Sequence, residues 1–231
     1  MYGAATFWRR GLFNVMNTII VYDFAELHSI VSESDRGTVF RGVSSTDYLL
    51  IPSLGRNGNV GLERREKRMF RLFKEESVQH LSIEPKNEWE WLALAQHHGL
   101  PTRLMDWSYN PLVAAFFAVQ EVSAPRDCAV YAFNDRDPVV NTSRLQDPFN
   151  IPNVLKYRPT RISPRITAQS GLFTVHPNPS APLEDERITK IIIDKSGRDR
   201  IRQILYKYGT SHKTLFPGLD SITLEIKLKN F

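Results

Sequence analysis

Residues 96–118, QHHGLPTRLMDWSYNPLVAAFFA, constrain this chain more than any other stretch. They crowd His97, His98, Thr102, Arg103, Asp106, Trp107 and Ser108 into one turn between two apolar helices. Polar side chains inserted between buried elements are costly unless they bond one another or a ligand. Gly99 and Pro101 close the first helix, which Trp89, Leu92, Ala93 and Gln96 mark by their spacing. Asn110 followed by Pro111 opens the second as N-cap and first helical residue. In that helix Leu112, Ala115, Phe116 and Val119 share one face, and Val113 and Phe117 cover another. It is therefore expected to be buried on more than one side.

Along the rest of the chain the elements come as short pieces. Helices are expected at 25–31, from Leu62 to Phe73, at 198–208 before Gly209, and from Leu219 onward. Strands are expected at 38–43, 129–133, 165–169, 171–175 and 188–193, the last an apolar run broken only by Thr189 and Lys190 and suited to a sheet interior. Residues 138–159 are polar and punctuated by proline, and read as a long excursion. Helices early and strands later argue for an α+β fold. Residues 1–21 read as an N-terminal extension, and 22–231 as a single domain.

A length of 231 residues with 42% hydrophobic content is enough for a full core. The single cysteine, Cys128, excludes an internal disulfide framework and suits a reducing cytoplasm. It lies in an apolar strand and reads as a buried structural thiol. No apolar run approaches the ~18 residues of a membrane span. Arg9 and Arg10 interrupt the apolar N-terminus, which therefore has no secretory core. A formal charge of +5 permits an anionic partner without demanding one, because the basic residues are scattered.

Five side chains carry chemistry. Arg41, central in a short strand, is either a surface residue or a guanidinium projecting into a cleft, where its fork suits phosphate. Beside it Gly42 would let a ligand approach the backbone. Arg103 and Asp106, three residues apart, read as an ion pair bracing the turn. His98 either caps its helix or faces a ligand, and no histidine spacing suits a metal. Gln169 ends an alternating strand, with Thr167 on its face. Walker, dinucleotide-fingerprint and nucleophile-elbow motifs do not occur, and no carboxylate pair stands out.

Taken together, these residues resemble the FRG domain family, whose tripeptide is Phe40-Arg41-Gly42 here. Leu50-Ile51-Pro52-Ser53-Leu54 resembles its second block and residues 96–118 its central one. Residues 169–173 and 214–220 resemble the last two. Met105, Ser108 and Gly218 depart mildly from the usual residues.

The order of blocks is also similar to that of Arg–Ser–Glu ADP-ribosyltransferases. That resemblance implies a split β core with extra helices and NAD as the substrate cofactor. In it Arg41, with Phe40 and Gly42, would hold a pyrophosphate. Thr102, Arg103, Trp107 and Ser108 would line the dinucleotide site, Trp107 by stacking. Gln169 stands where a catalytic glutamate is expected and supplies a hydrogen bond but no charge. His98, Asp106 and Asp147 are the candidates to replace it. The implied activity is ADP-ribose transfer to a nucleic acid or protein, in a toxin or phage-defence setting that admits an inhibitory partner. A binding module without transfer chemistry and an NAD glycohydrolase are the alternatives.

Overall fold

The computed structural model describes residues 16–57, 60–121, 126–145, 147–159 and 168–230. Seven strands form one mixed sheet among these residues: β1 (Asn17–Val21), β2 (Val39–Val43), β3 (Leu104–Ser108), β4 (Cys128–Phe133), β5 (Leu155–Tyr157), β6 (Gly171–Val175) and β7 (Ile188–Ile193). Their order is β1-β7-β4-β2-β3-β6-β5. Only β1 and β7 run parallel; the other neighbours are antiparallel. The helices are α1 (Phe24–Ser32), α2 (Leu62–Ser77), α3 (Glu88–His97), α4 (Pro111–Val119), α5 (Lys195–Lys207), α6 (His212–Leu215) and α7 (Leu219–Asn230). Among the described residues strands and helices intermingle as far as α4, β4 to β7 then follow in succession, and three helices end the chain, in place of the expected early helices and late strands.

The interior strand β4 is apolar because both of its faces are covered, and β7 is apolar but for Thr189 and Lys190, whose Nζ donates to the Thr46 carbonyl at 2.8 Å. Cys128, Val130, Ile191 and Ile193 face one core with α4 and α5. Ala129, Tyr131, Phe133 and Ile188 face a second, with Val39, Met105 and Trp107. Burial pushes the Cys128 thiol up to about 11, as suits an inert structural cysteine. A third core gathers α2, α3, β5 and β6 around Trp89, Tyr157 and Phe173.

Three expectations are corrected here. Residues 17–21 are no extension but the edge strand β1, in register with β7 from Asn17 opposite Thr189 to Val21 opposite Ile193. The 138–159 excursion contributes β5 and buries Ile151 and Tyr157, so it is part of the sheet and core. The strand expected at 165–169 is not formed at its end: Gln169 and Ser170 make the turn into β6. Residues 165–167, Thr167 among them, lie outside the described residues.

The helix that follows the key turn folds for local reasons. The Asn110 side chain accepts from the Leu112 amide, and Pro111 opens the first turn. α4 then lies directly on β2. A Cβ on Gly42 would sit 1.8 Å from the Ala114 carbonyl oxygen and 2.7 Å from the Ala118 nitrogen. Gly42 therefore serves helix packing, whatever its part in the cavity that it also lines. Gly42→Ala is expected to destabilise the protein by about 1–3 kcal/mol through overpacking, read as a lower midpoint in thermal unfolding.

Between its two halves the sheet is nearly split. β2 matches β4 over five residue pairs, and β3 matches β6 over five. β2 and β3 share one pair, Phe40 opposite Ser108. Beyond that pair the two strands part. The resulting seam positions the site.

Candidate functional site

Arg41 occupies the seam. Its Nη1 donates to the Asp106 carbonyl at 2.7 Å, where an unsplayed sheet would place a ladder amide. The Asp106 carboxylate lies 3.8 Å from the same nitrogen. The Arg41 side chain is 16% exposed and that of Asp106 is 60% exposed. Burial strips hydration from the guanidinium and draws its pKa below the usual arginine range, and the Asp106 charge opposes this. A cavity of about 260 Å³ opens beside them, lined by Phe40, Arg41, Gly42, Gln96, Asp106 and Ser108, with Trp107, α4 residues and Gln169.

Side chains from the key stretch orient Asp106. The Leu104 amide donates to Thr102 Oγ1 at 3.0 Å, and that hydroxyl donates to Gln96 Oε1 at 2.7 Å. With its carbonyl end fixed, Gln96 turns Nε2 toward Asp106 Oδ2, 3.0 Å away. Gly99, at φ 86°, makes the reversal that brings the end of α3 back over β3. Thr102 and Asp106 are thus joined through Gln96, and this chain of bonds ends on one exposed carboxylate. The sequence placed Gln96 only as the end of a helix; its spacing from Thr102 and Asp106 around a reversing glycine was the available signal.

Ser108 and Gln169 form the other wall. Ser108 Oγ donates to the Gln169 carbonyl at 2.6 Å and accepts from the Asn110 amide at 2.9 Å. Gln169 Nε2 donates to the Leu215 carbonyl of α6 at 3.1 Å. Its turn carries Ser170 at φ 47°.

The remaining expected residues lie elsewhere. Arg103 does not pair with Asp106. Strand alternation sends residues three apart to opposite faces of β3, and Arg103 instead binds Glu66 of α2 through Nε at 2.9 Å and Nη2 at 2.5 Å. Trp107 shares the Arg103 side; its indole donates to Thr174 Oγ1 at 2.9 Å and packs against Phe133, away from a stacking role in the seam. Thr102 is buried and acts through Gln96. His98 caps α3, its amide bonding the Leu94 carbonyl, and its exposed ring sits beside Phe73, outside the cavity lining. Asp147 accepts from the Phe149 amide in its own turn. Among the described residues, no group of three or more His, Cys, Asp or Glu could hold a metal. No helix among them is long and apolar enough to cross a membrane.

Nothing in the sequence singles out His176. It is 1% exposed, and its Nε2 lies 2.9 Å from Thr174 Oγ1, the hydroxyl that also accepts from Trp107. Burial, then the charges of Arg41 and Arg103, hold its pKa down at about 4. Because the folded value lies below the unfolded one, this stabilisation is complete above pH ~6.5 and is lost as the pH falls toward about 4. Urea midpoints measured from pH 7.5 to 4.5 should fall, and fall less in His176→Gln, which keeps a polar group but cannot charge.

A nearly split mixed sheet with an arginine in its seam, flanked by helices, thus defines the class: a mixed α/β domain. The family model described as FRG domain matches residues 36–127, from just before β2 to just before β4, and supports the resemblance over that stretch. No curated protein and no solved structure matches the chain.

Proposed function

We propose that the seam binds the pyrophosphate-bearing end of NAD and that the protein transfers ADP-ribose from it to a macromolecular acceptor. The observation that carries this reading is Arg41. It is a largely buried cation whose hydrogen bonding among the described residues is one bond to a carbonyl, and it faces a cavity. A guanidinium so placed is costly unless an anion completes its fork. A volume of about 260 Å³ falls just below the ~300–1,000 Å³ typical of ligand pockets. It suits one end of a dinucleotide, the rest lying across open surface.

Of the three groups that could replace the missing glutamate, Asp106 alone lines this cavity. In the proposed reaction the bond between the ribose carbon and the nicotinamide nitrogen breaks. Nicotinamide leaves with the electron pair, and an acceptor oxygen or nitrogen bonds the carbon and loses its proton. Asp106 supplies negative charge to the oxocarbenium-like transition state. Arg41 holds the diphosphate, and Gln169 contributes hydrogen bonding only.

A second reading has its own support. The Gln169 amide is committed to α6, as it would be in a module that binds a nucleotide without turning it over. Incubation with labelled NAD, alone and with RNA, DNA or lysate protein, separates the two. Labelled polymer that disappears in Asp106→Asn is the expected result. Free nicotinamide without labelled polymer means hydrolysis. Tight NAD binding without either product means a binding module. No binding and no turnover overturns the proposal.

A further inference from the structure

The outward face of α2 has a charge distribution that the seam does not explain. The helix is anchored by buried Glu66, which holds Arg103. At 100° per residue Arg64 and Arg68 point almost directly away from Glu66, with Arg65, Lys67 and Arg71 on either side of them. Neighbouring charges are neutralised in place: Lys67 pairs with Glu63 at 2.6 Å, and Arg71 with Glu75 at 2.9 Å. Arg64 and Arg68 have no acidic partner among the described residues. They stand one helical turn apart, where like charges repel. With Arg65 and Gly61 they line a hollow of about 510 Å³.

The outward residues of the first three turns are charged, without an exposed apolar or aromatic side chain. A membrane-binding helix would need apolar side chains to insert. Aromatic side chains would be needed to stack single-stranded bases. Arginines alone suit phosphates. The face is turned away from the seam: Arg103, three residues before Asp106, is held by the inner side of α2, so an acceptor bound on the outer side must reach around the helix, as a long nucleic acid can.

We propose that this arginine face binds the phosphate backbone of a nucleic acid, without regard to sequence, and presents it as the acceptor. The acceptor role rests on the transfer reading; the binding itself does not.

The test is fluorescence anisotropy of the full chain with a labelled 20-base-pair RNA duplex, without NAD, across 50–200 mM KCl. Arg64→Ala/Arg68→Ala should weaken binding at least tenfold at the lowest salt. It should also flatten the plot of log affinity against log salt by about 2, near 0.9 for each phosphate no longer neutralised. Its melting temperature should stay level or rise slightly, since both residues are exposed and their mutual repulsion is removed. Arg200→Ala/Lys213→Ala, which removes two exposed charges elsewhere, should leave binding intact. Absence of duplex binding, an equal loss in the control pair, or binding to phosphatidylserine vesicles but not RNA would each overturn the proposal. Duplex binding that survives Arg41→Ala, in a protein inert toward NAD, would remove the transfer reading and leave this one standing. Labelling of protein alone, with no RNA binding, would do the reverse.

Discussion

Glu66→Ala is expected to lower the unfolding free energy by about 3–5 kcal/mol, the largest stability effect expected of any single substitution here. Glu66 and Arg103 have side chains 3% and 4% exposed, and they meet in two parallel hydrogen bonds. Arg103 Nη1 also donates to the carbonyls of Phe149 and His176, at 3.3 and 3.4 Å. The Phe149 ring lies 5.0 Å from the guanidinium. One cation thus fastens α2, the loop before β5 and the residue after β6 to the start of β3. Removing the carboxylate leaves that cation buried and unpaired. Replacing both partners with apolar residues, as in Glu66→Leu/Arg103→Met, should recover most of the loss, because a buried pair contributes little over well-packed hydrophobes. Urea unfolding of Glu66→Leu and Arg103→Met, the two single variants, and of the double variant measures this. Losses below about 1 kcal/mol in both singles would mean that water reaches the pair. A domain of this size has about 5–15 kcal/mol in all, so the single variants should fold marginally at 37 °C.

The second large effect concerns ligand rather than fold. Arg41→Ala is expected to weaken NAD binding by about 10–100-fold, the equivalent of removing one charge-assisted hydrogen bond of about 1.5–3 kcal/mol. Stability should stay level or rise. The native guanidinium is desolvated against a single carbonyl bond, and the carbonyl it would release belongs to an exposed residue. Arg41→Lys should retain part of the affinity, since it keeps the charge but loses the fork. Calorimetric titration with NAD, paired with thermal unfolding, gives both quantities. A stability loss matching the binding loss would make Arg41 a structural residue of the β2–β3 seam. An unchanged affinity would move the anion site elsewhere.

Both effects concern the same short stretch, and they divide it differently from the sequence reading. The pair bracing the region joins Arg103 to Glu66, and Asp106 is left to face Arg41 and Gln96. Asn110, Pro111 and Gly99 act as the sequence indicated, because caps and left-handed turns depend on a few adjacent residues. The β4 and β7 interiors were legible for a similar reason: runs such as Ile191 to Ile193 have no solvent face to alternate toward. The sequence allows Trp107 as core or as a stacking wall, and only its bond to Thr174, across the β3–β6 pairing, places it in the core. Alternation assigns Gln169 to a strand, a weak signal in a short segment; what holds it is Ser108 and α6, both far away in sequence.

By itself, then, the sequence determined the extents of α3 and α4, the strands β2, β4, β6 and β7 and the density of polar groups at 96–108, while the residues that form β3 read as a turn. These follow from periodicity, capping and the cost of burying unpaired groups, all of which act between near neighbours. The tertiary structure alone decided that β2 and β3 part after one residue pair, and that Arg41 enters the gap. It also decided that Gly42 serves α4, that Arg103 finds Glu66, and that Asp106 is the carboxylate left at the cavity. The reason is geometric. A strand sends successive side chains to opposite faces, and what each one meets is set by elements brought alongside from distant parts of the chain.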